Sequence, residues 1–409
     1  MQCSGIVFIK LIINQLQIER VGYMKSYINY KGRKIQICSR CIYSEEVAGI
    51  SFDEEGVCNY CHTMDNLVQE YGTGTIKGEE QLKNIIEQVK KEGKNKKYDC
   101  IVGVSGGTDS SYMVAKMVEW GLRPLAVHYD NTWNTAIATE NIKKVLDKLN
   151  VDLYTYVVDN KEADDIFLAF LKASVPELDA ATDLALAEVM YRVAAKYHVK
   201  YVFEGHSFVT EGISPLSTTY FDGKYIKTIH KQFGKLPMKT YPLMSFSHFM
   251  KWTLFKSIKK IRPLWYIGYS KEEAREYLQR EFDWKYYGGH HLENRLAAFV
   301  HCYYDVNKFN LDLRNLSLAA AARSKIMERD EAIHRYYETE PVMEVGLLEY
   351  FKDRLKLSDE EFEELMNRPN KRYTDYKTYK KLFKLLRPLF YIMAKKNLVP
   401  MSFYLKYTK

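Results

Sequence analysis

Apolar and polar positions along this chain fall into blocks, and the sharpest boundary lies near residue 104. Asp99-Cys-Ile-Val-Gly-Val104 is a short apolar run rich in Val and Ile, which predicts a buried strand. Ser105-Gly-Gly-Thr-Asp-Ser-Ser111 interrupts it, and helical spacing then opens at Tyr112, Met113, Ala115, Met117 and Val118. Upstream, residues 79–96 have the pattern of a lysine-rich amphipathic helix. Downstream the rhythm repeats: a strand at Pro124–His128, a helix through Lys148, a strand at Leu153–Val158, helices near 162–172 and 183–197, and a strand at Lys200–Phe203. Strands separated by helices of this length predict a parallel sheet with crossover helices.

Patterning is weaker elsewhere. Residues 1–33 carry no motif, and Met24 is an alternative start. Tyr220-Phe-Asp-Gly-Lys-Tyr225 predicts a hairpin with Asp-Gly at its turn. Residues 240–268 are aromatic and basic, in keeping with a substrate lid or an interface. Ser270-Lys-Glu-Glu predicts an N-capped helix start. Residues 298–409 read as mostly helical, with apolar periodicity in Leu316–Ile326 and Leu347–Leu365.

Length and composition narrow the class. The chain has 409 residues, 46% of them hydrophobic and 27% charged, which predicts a globular protein of two or three domains. No uncharged apolar run reaches the roughly 18 residues of a membrane span, and Gly5–Ile13 makes a poor signal peptide. The expected location is the cytoplasm. The net charge of +8 is concentrated at one end: Lys371–Lys409 holds eleven Lys and Arg against one acid, Asp375. Aromatics interleave with these cations, which fits nucleic acid, an anionic membrane surface, a phosphorylated substrate or simply a solvated helical face with aromatic anchors.

The loop at 105–111 carries the chemistry. A strand that breaks at two glycines and restarts as a helix points bare backbone N–H groups at one spot. Hydroxyls add donors, and the helix dipole favours negative charge there. Ser105, Gly106, Gly107, Thr108, Asp109, Ser110 and Ser111 therefore form a candidate pyrophosphate cradle, with Asp109 placed to hold a Mg²⁺ that bridges phosphates. No Gly-Lys-Ser/Thr ends the loop, so it is not a Walker A motif. It resembles the PP-loop of the ATP pyrophosphatases, which implies that ATP is cleaved to AMP and pyrophosphate.

Ligands of parallel sheets sit beyond the carboxyl ends of the strands. Asp130 and Asn131, after the second strand, and Gly205, His206 and Glu211, after the fourth, thus join Ser105 and Asp109 around one crevice. Cys38, Cys41, Cys58 and Cys61 form a C-x₂-C-x₁₆-C-x₂-C pattern, which fits a structural Zn²⁺ held by two knuckles, with an iron–sulfur cluster as the alternative. Ile50–Phe52 and Asp53–Gly56 between them predict a strand and turn. Further on, Tyr286-Tyr-Gly-Gly-His-His-Leu-Glu-Asn-Arg295 concentrates His290, His291, Glu293, Asn294 and Arg295 just before an apolar helix. An arginine there suits a phosphate or carboxylate.

The set of motifs in this order resembles the N-acetyl sugar amidotransferase family, of the WbpG/PseA type, over residues 35–330. The resemblance implies an adenine nucleotide alpha hydrolase-like α/β domain at 76–240 behind an extension (1–34) and a zinc ribbon (35–75). A substrate-binding helical region (241–330) and a basic helical region (331–409) would follow. It implies that ATP adenylates the oxygen of a sugar's N-acetyl amide and that ammonia displaces AMP, leaving an acetamidino sugar for surface polysaccharide or flagellin glycan. Asp109, Ser105 and Glu211 would serve catalysis, and residues 290–295 would hold the sugar, which is expected to be nucleotide-linked. The resemblance also implies a separate glutaminase, similar to that of histidine biosynthesis, with its cyclase-like companion. A tRNA-thiolating enzyme is the rival. Such enzymes carry further catalytic or cluster cysteines, whereas Cys100 lies inside a strand and only Cys302 remains nearby, so nucleic acid is not the expected partner.

Overall fold

The apolar run at Cys100–Gly103 is a strand covered on both faces. Ile101 points into one core with Leu125, Val127 and Val202. Cys100 and Val102 point into a second with Ala126, Tyr201 and Phe203. No face is left for water, so the strand lacks polar alternation. Burial of Ile101 and Val102 contributes roughly 2 kcal/mol each.

The computed structural model describes residues 19–21, 25–213, 219–289, 292–396, 398–399 and 401–408. The chain opens with an antiparallel sheet of β1 (Glu19–Val21), β2 (Lys25–Tyr30) and β3 (Arg33–Ile37), then α1 (Asn59–Tyr71) and α2 (Ile76–Gly93). The α/β unit is β4 (Cys100–Gly103), α3 (Thr108–Glu119), β5 (Pro124–Asp130), α4 (Ala136–Leu149), β6 (Leu153–Val157), α5 (Asn160–Ala173), α6 (Ala180–Lys196) and β7 (Tyr201–Phe203). Next come α7 (Phe208–Glu211), α8 (Gly223–Phe233), α9 (Phe246–Met250), β8 (Lys259–Ile261) and α10 (Lys271–Phe282). The remainder is helical: α11 (Arg295–Phe299), α12 (Asp305–Phe309), α13 (Arg314–Arg323), α14 (Arg329–Tyr337), α15 (Leu347–Leu355), α16 (Asp359–Asn367), α17 (Lys380–Leu385), α18 (Arg387–Lys395) and α19 (Met401–Thr408).

The main sheet has the order β6-β5-β4-β7-β8, with every pair parallel. Helices α2, α3 and α4 supply Ile86, Met113, Met117 and Ile142 to one face. Helices α5, α6 and α8 supply Phe170, Val189 and Ile229 to the other. The chain runs outward from β4 to β6, then returns to β7 on the far side of β4. That reversal opens a crevice between β4 and β7, the place where doubly wound sheets bind ligands.

Two expectations need correction. Tyr220–Tyr225 is not a hairpin: Asp222 accepts from the backbone N–H of Lys224 and Tyr225, each at 2.8 Å, and caps α8. Asp-Gly serves equally as a turn or as a cap, and the spacing of Tyr225, Ile226 and Ile229 beyond it is helical. Ile50–Phe52 forms only an isolated bridge, Phe52 to Cys58. Lys259–Ile261, within the stretch read as a lid or interface, is an edge strand beside β7. Its two lysines gave no strand signal, because Lys260 and Arg262 are there to pair with Glu204.

The cysteine segment packs with Ile28, Ile35 and Ile37 against α13 and α14 through Ala319, Ala322, Ala332 and Ile333. The aromatic tail behaves as anchored helices, with Phe383, Phe390 and Met393 buried together. Among the described residues no helix is long and apolar enough to cross a membrane.

Candidate active site

The loop after β4 requires both of its glycines. Gly106 has φ +82°, and a Cβ there would lie 2.1 Å from the Ala138 carbonyl oxygen. Gly107 is the N-cap of α3 and brings no side-chain acceptor, so no side chain caps the first-turn amides. Ser110 Oγ accepts from the Ser105 N–H at 3.2 Å and lies 3.3 Å from Ser105 Oγ, which itself accepts from the Gly107 N–H at 3.3 Å. From behind, Trp284 Nε1 donates to the Gly106 carbonyl at 3.1 Å, and Asn141 Nδ2 reaches the same oxygen at 3.4 Å. The cradle is thus fixed before any ligand arrives. Neither Trp284 nor Asn141 stood out in sequence, since nothing local ties them to the loop.

Asp109 lies in the first turn of α3 and faces the crevice. Its carboxylate accepts from the Tyr269 hydroxyl and pairs with Lys271 Nζ at 3.1 Å. Lys271 also pairs with Glu211 at 3.2 Å, and Glu211 lies 3.6 Å from His206 Nε2. Burial works to raise the Asp109 pKa, but the Lys271 charge and the Tyr269 hydroxyl hold it below its ordinary value. Burial likewise opposes the Lys271 charge, yet Asp109 and Glu211 raise its pKa. His206 is pushed down to about 3 by burial and by nearby Arg262. Trp265 Nε1 donates to its Nδ1 at 3.1 Å, so the neutral ring carries its proton on Nε2, toward Glu211. Gly205 is needed for contact: a Cβ there would lie 2.9 Å from the Asp109 carbonyl oxygen.

The segment before α11 folds over the same loop. Ser105 Oγ donates to Glu293 Oε1 at 3.4 Å, and a Cβ on Gly107 would meet the Tyr287 hydroxyl at 3.0 Å. Glu293 is therefore brought to the cradle, with Tyr287 as an additional residue that the sequence motif contained but did not single out. Asn294 does something else. Its side-chain amide donates to Asn131 Oδ1 (2.8 Å) and Asn134 Oδ1 (3.0 Å), and its own oxygen caps α11. Asn131, 2% exposed, also accepts from the Trp133 N–H at 3.1 Å. The pair stitches the β5 loop to the α11 segment. Asp130 accepts from the Thr132 N–H at 2.7 Å and the Asn134 amide at 3.2 Å, closing the same loop. Arg295, expected to grip an anion of the substrate, turns instead to Glu344, at 2.9 and 3.0 Å. His290 and His291 lie outside the described residues.

The four cysteines meet. Their sulfurs all lie within 4.8 Å of one another, with Cys38–Cys61 and Cys41–Cys58 at 3.8 Å and Cys58–Cys61 at 3.6 Å. A tetrahedral zinc with Zn–S of about 2.3 Å places its sulfurs about 3.8 Å apart, so the set fits a single tetrahedral ion. Arg323 of α13 donates to Cys61 Sγ at 3.3 Å and Cys41 Sγ at 3.6 Å, and Arg329 donates to the Cys38 and Cys41 carbonyls. A buried guanidinium against four thiolates offsets their negative charge.

A glycine-rich turn ahead of a helix, at the reversal point of a parallel sheet, is the arrangement expected from the resemblance of residues 105–111 to a PP-loop. Residues 293–389 match the family described as "LPS biosynthesis protein WbpG-like, C-terminal domain", which bears out the resemblance read from the motifs. That stretch spans α11 to α17 and enters α18. No curated protein matches the chain. Solved structures similar to it include an NMN synthetase from Francisella tularensis, at 14% identity over 69% of this chain and 93% of that one, with a TM-score of 0.34. An NH3-dependent NAD synthetase from Campylobacter jejuni is 13% identical over 68% and 93%, with a TM-score of 0.30. The U34-tRNA thiolase NcsA from Methanococcus maripaludis, with its [4Fe-4S] cluster, is 13% identical over 68% and 80%, also at 0.30.

Proposed function

We propose that the chain is an ATP-dependent amidotransferase that converts the N-acetyl group of a sugar to an acetamidino group. The observation that carries this reading is the convergence of the preformed phosphate cradle, the Asp109–Lys271–Glu211 cluster and a WbpG-like segment at Glu293 on one crevice.

An amide oxygen is a very poor leaving group and AMP is a good one. The acetyl oxygen attacks the α-phosphorus of ATP, expels pyrophosphate and gives an O-adenylated imidate. Ammonia then adds to the imidoyl carbon, AMP departs with the former acetyl oxygen, and a proton is lost. The amides and hydroxyls of residues 105–111 bind the departing pyrophosphate at the N-terminus of α3, where they are oriented before charge develops. Lys271 lies within reach of the same charge. Asp109 and Glu211 both pair with Lys271 Nζ, at 3.1 and 3.2 Å; paired carboxylates suit a hard cation that also binds substrate phosphates, and one held by them would take the place that the ammonium fills in this structure. Mg²⁺ held there would neutralise charge on the pyrophosphate. Zn²⁺ fits the cysteine cluster, in a structural role, since all four positions are thiolates.

Ammonia is assigned to a partner glutaminase. Burial pushes the Cys100 thiol well up and also raises that of Cys302, so neither is a ready nucleophile. The reading is tested by pyrophosphate release from purified protein with ATP, Mg²⁺, ammonium and UDP-linked N-acetylated sugars, with bulk tRNA in parallel. Sugar-dependent release is expected; release with tRNA alone would assign the chain to thiolation.

A further inference from the structure

A pocket of about 410 Å³ opens beside the loop that follows β7, within the size range of small-molecule sites. Its near end is His206, Gly212 and Ile213. His206 follows Gly205, whose backbone touches Asp109, so this end borders the phosphate cradle. Its far end is α19, through Phe403, Lys406 and Tyr407. The pocket therefore joins the crevice to the C-terminal helix of the chain, beyond the residues that match the family.

The walls are aromatic with a few charges, the composition a sugar requires. A pyranose has apolar C–H faces that lie flat on rings and hydroxyls that need polar partners. Phe249 and Phe403 line the wall and stack on each other, with ring centroids 5.0 Å apart and an interplanar angle of 21°. Asp183 and Asp222 also lie along the wall, and Asp222 is committed to the start of α8, the Tyr220 hydroxyl and the Tyr379 N–H. Two of the three pocket cations are committed, since Lys260 and Arg262 pair with Glu204. Lys406 differs. Its Nζ sits 5.0 Å from the Phe221 ring centroid and 5.8 Å from that of Tyr407, and among the described residues no carboxylate forms an ion pair with it. Asp183 and Glu177 act on it only as more distant charges, and burial disfavours its charged form. An ammonium so placed is satisfied by an anion that enters the pocket.

We infer that this pocket is the acceptor site: an N-acylated hexose lies on its aromatic walls, acyl amide toward His206 and the cradle, with the phosphate that carries the sugar on Lys406. The inference rests on the acceptor proposed above and adds where it binds and how its carrier is recognised.

The test is calorimetric binding to the full chain without ATP, using UDP-N-acetylglucosamine, N-acetylglucosamine 1-phosphate, N-acetylglucosamine and inorganic phosphate, with ATP titrated separately. The phosphorylated sugars are expected to bind more tightly than the sugar or phosphate alone. Lys406→Met should weaken them roughly ten- to a hundred-fold, the value of a hydrogen bond to a charged group, with ATP affinity unchanged and Lys406→Arg restoring most of the loss. Failure of every phosphorylated sugar to bind the wild type would overturn the assignment, as would equal binding to Lys406→Met or a parallel loss of ATP affinity. Lys406-dependent binding without pyrophosphate release would keep the pocket and contradict the amidotransferase reading. Release with binding indifferent to Lys406 would do the opposite.

Discussion

Lys271 is the residue on which the electrostatics of the crevice turn. It stands between two carboxylates, and without it Asp109 and Glu211 would repel each other as well as an incoming triphosphate. Lys271→Met, close in volume, should lower the rate of pyrophosphate release by about a hundred-fold, the usual cost of removing one group that stabilises developing charge. It should leave bound zinc unchanged. Steady-state kinetics and metal analysis check this, and turnover within a factor of two of wild type would remove Lys271 from the mechanism. Sequence offered no route to this residue: it is one of sixty Lys and Arg, and its neighbours read only as a helix start. Asp109 was legible because its loop must place a carboxylate, two glycines and hydroxyls at fixed spacing. Arg295 was legible as a cation but not as to its partner, because Glu344 lies 49 positions away.

At the level of elements, the cysteine knuckles and α13 depend on each other. Arg323 is 3% exposed and donates to two of the four sulfurs, so the charge of the thiolates is balanced from a helix more than 250 residues downstream. Arg323→Met should weaken metal retention roughly ten- to a hundred-fold, as loss of an outer partner typically does. Competition with a chromophoric chelator measures it. Retention equal to wild type would mean that the guanidinium only fills space. The knuckles themselves were plain in sequence, since two C-x₂-C pairs encode a tetrahedral site by spacing alone. The docking helix was not, because small alanines at Ala319 and Ala322 mark a close approach without naming its partner. The strand β8 and the capped start of α8 were missed for a related reason: their polar residues serve distant partners, and local pattern cannot register that.

At the scale of the molecule, the C-terminal helices wrap back on the α/β unit. Arg354 lies 4.0 Å over the Trp133 ring and donates to Thr132, the Lys371 N–H donates to the Ser174 carbonyl at 2.8 Å, and the Tyr376 hydroxyl donates to the Ala173 carbonyl at 2.9 Å. Where these layers meet, Glu177 is buried, accepting from the Tyr220 N–H at 3.3 Å and the Tyr225 hydroxyl at 3.1 Å. Burial raises it from 4.5 to about 7. The folded state then holds this proton more tightly than the unfolded chain does, so its contribution is full below pH 4.5 and is lost as pH rises through 7. Glu177→Gln should flatten the stability–pH curve across that window by about 3 kcal/mol relative to wild type. Denaturant titrations at pH 5 and pH 8 check it, and parallel curves would contradict it. The parallel sheet was legible because its strands are buried on both faces and their helices keep a regular spacing. The return of the tail was not, because its aromatics fit an anchored solvent face as well as a pocket wall.

The central claim is that the acetyl oxygen of a sugar leaves on AMP. It is tested by mass spectrometry of AMP formed from a UDP-linked sugar whose N-acetyl group carries ¹⁸O, with ATP, Mg²⁺ and ammonium. The account predicts AMP heavier by about two mass units and a sugar product in which NH replaces the labelled oxygen. Unlabelled AMP, with the label retained in the sugar, would contradict it.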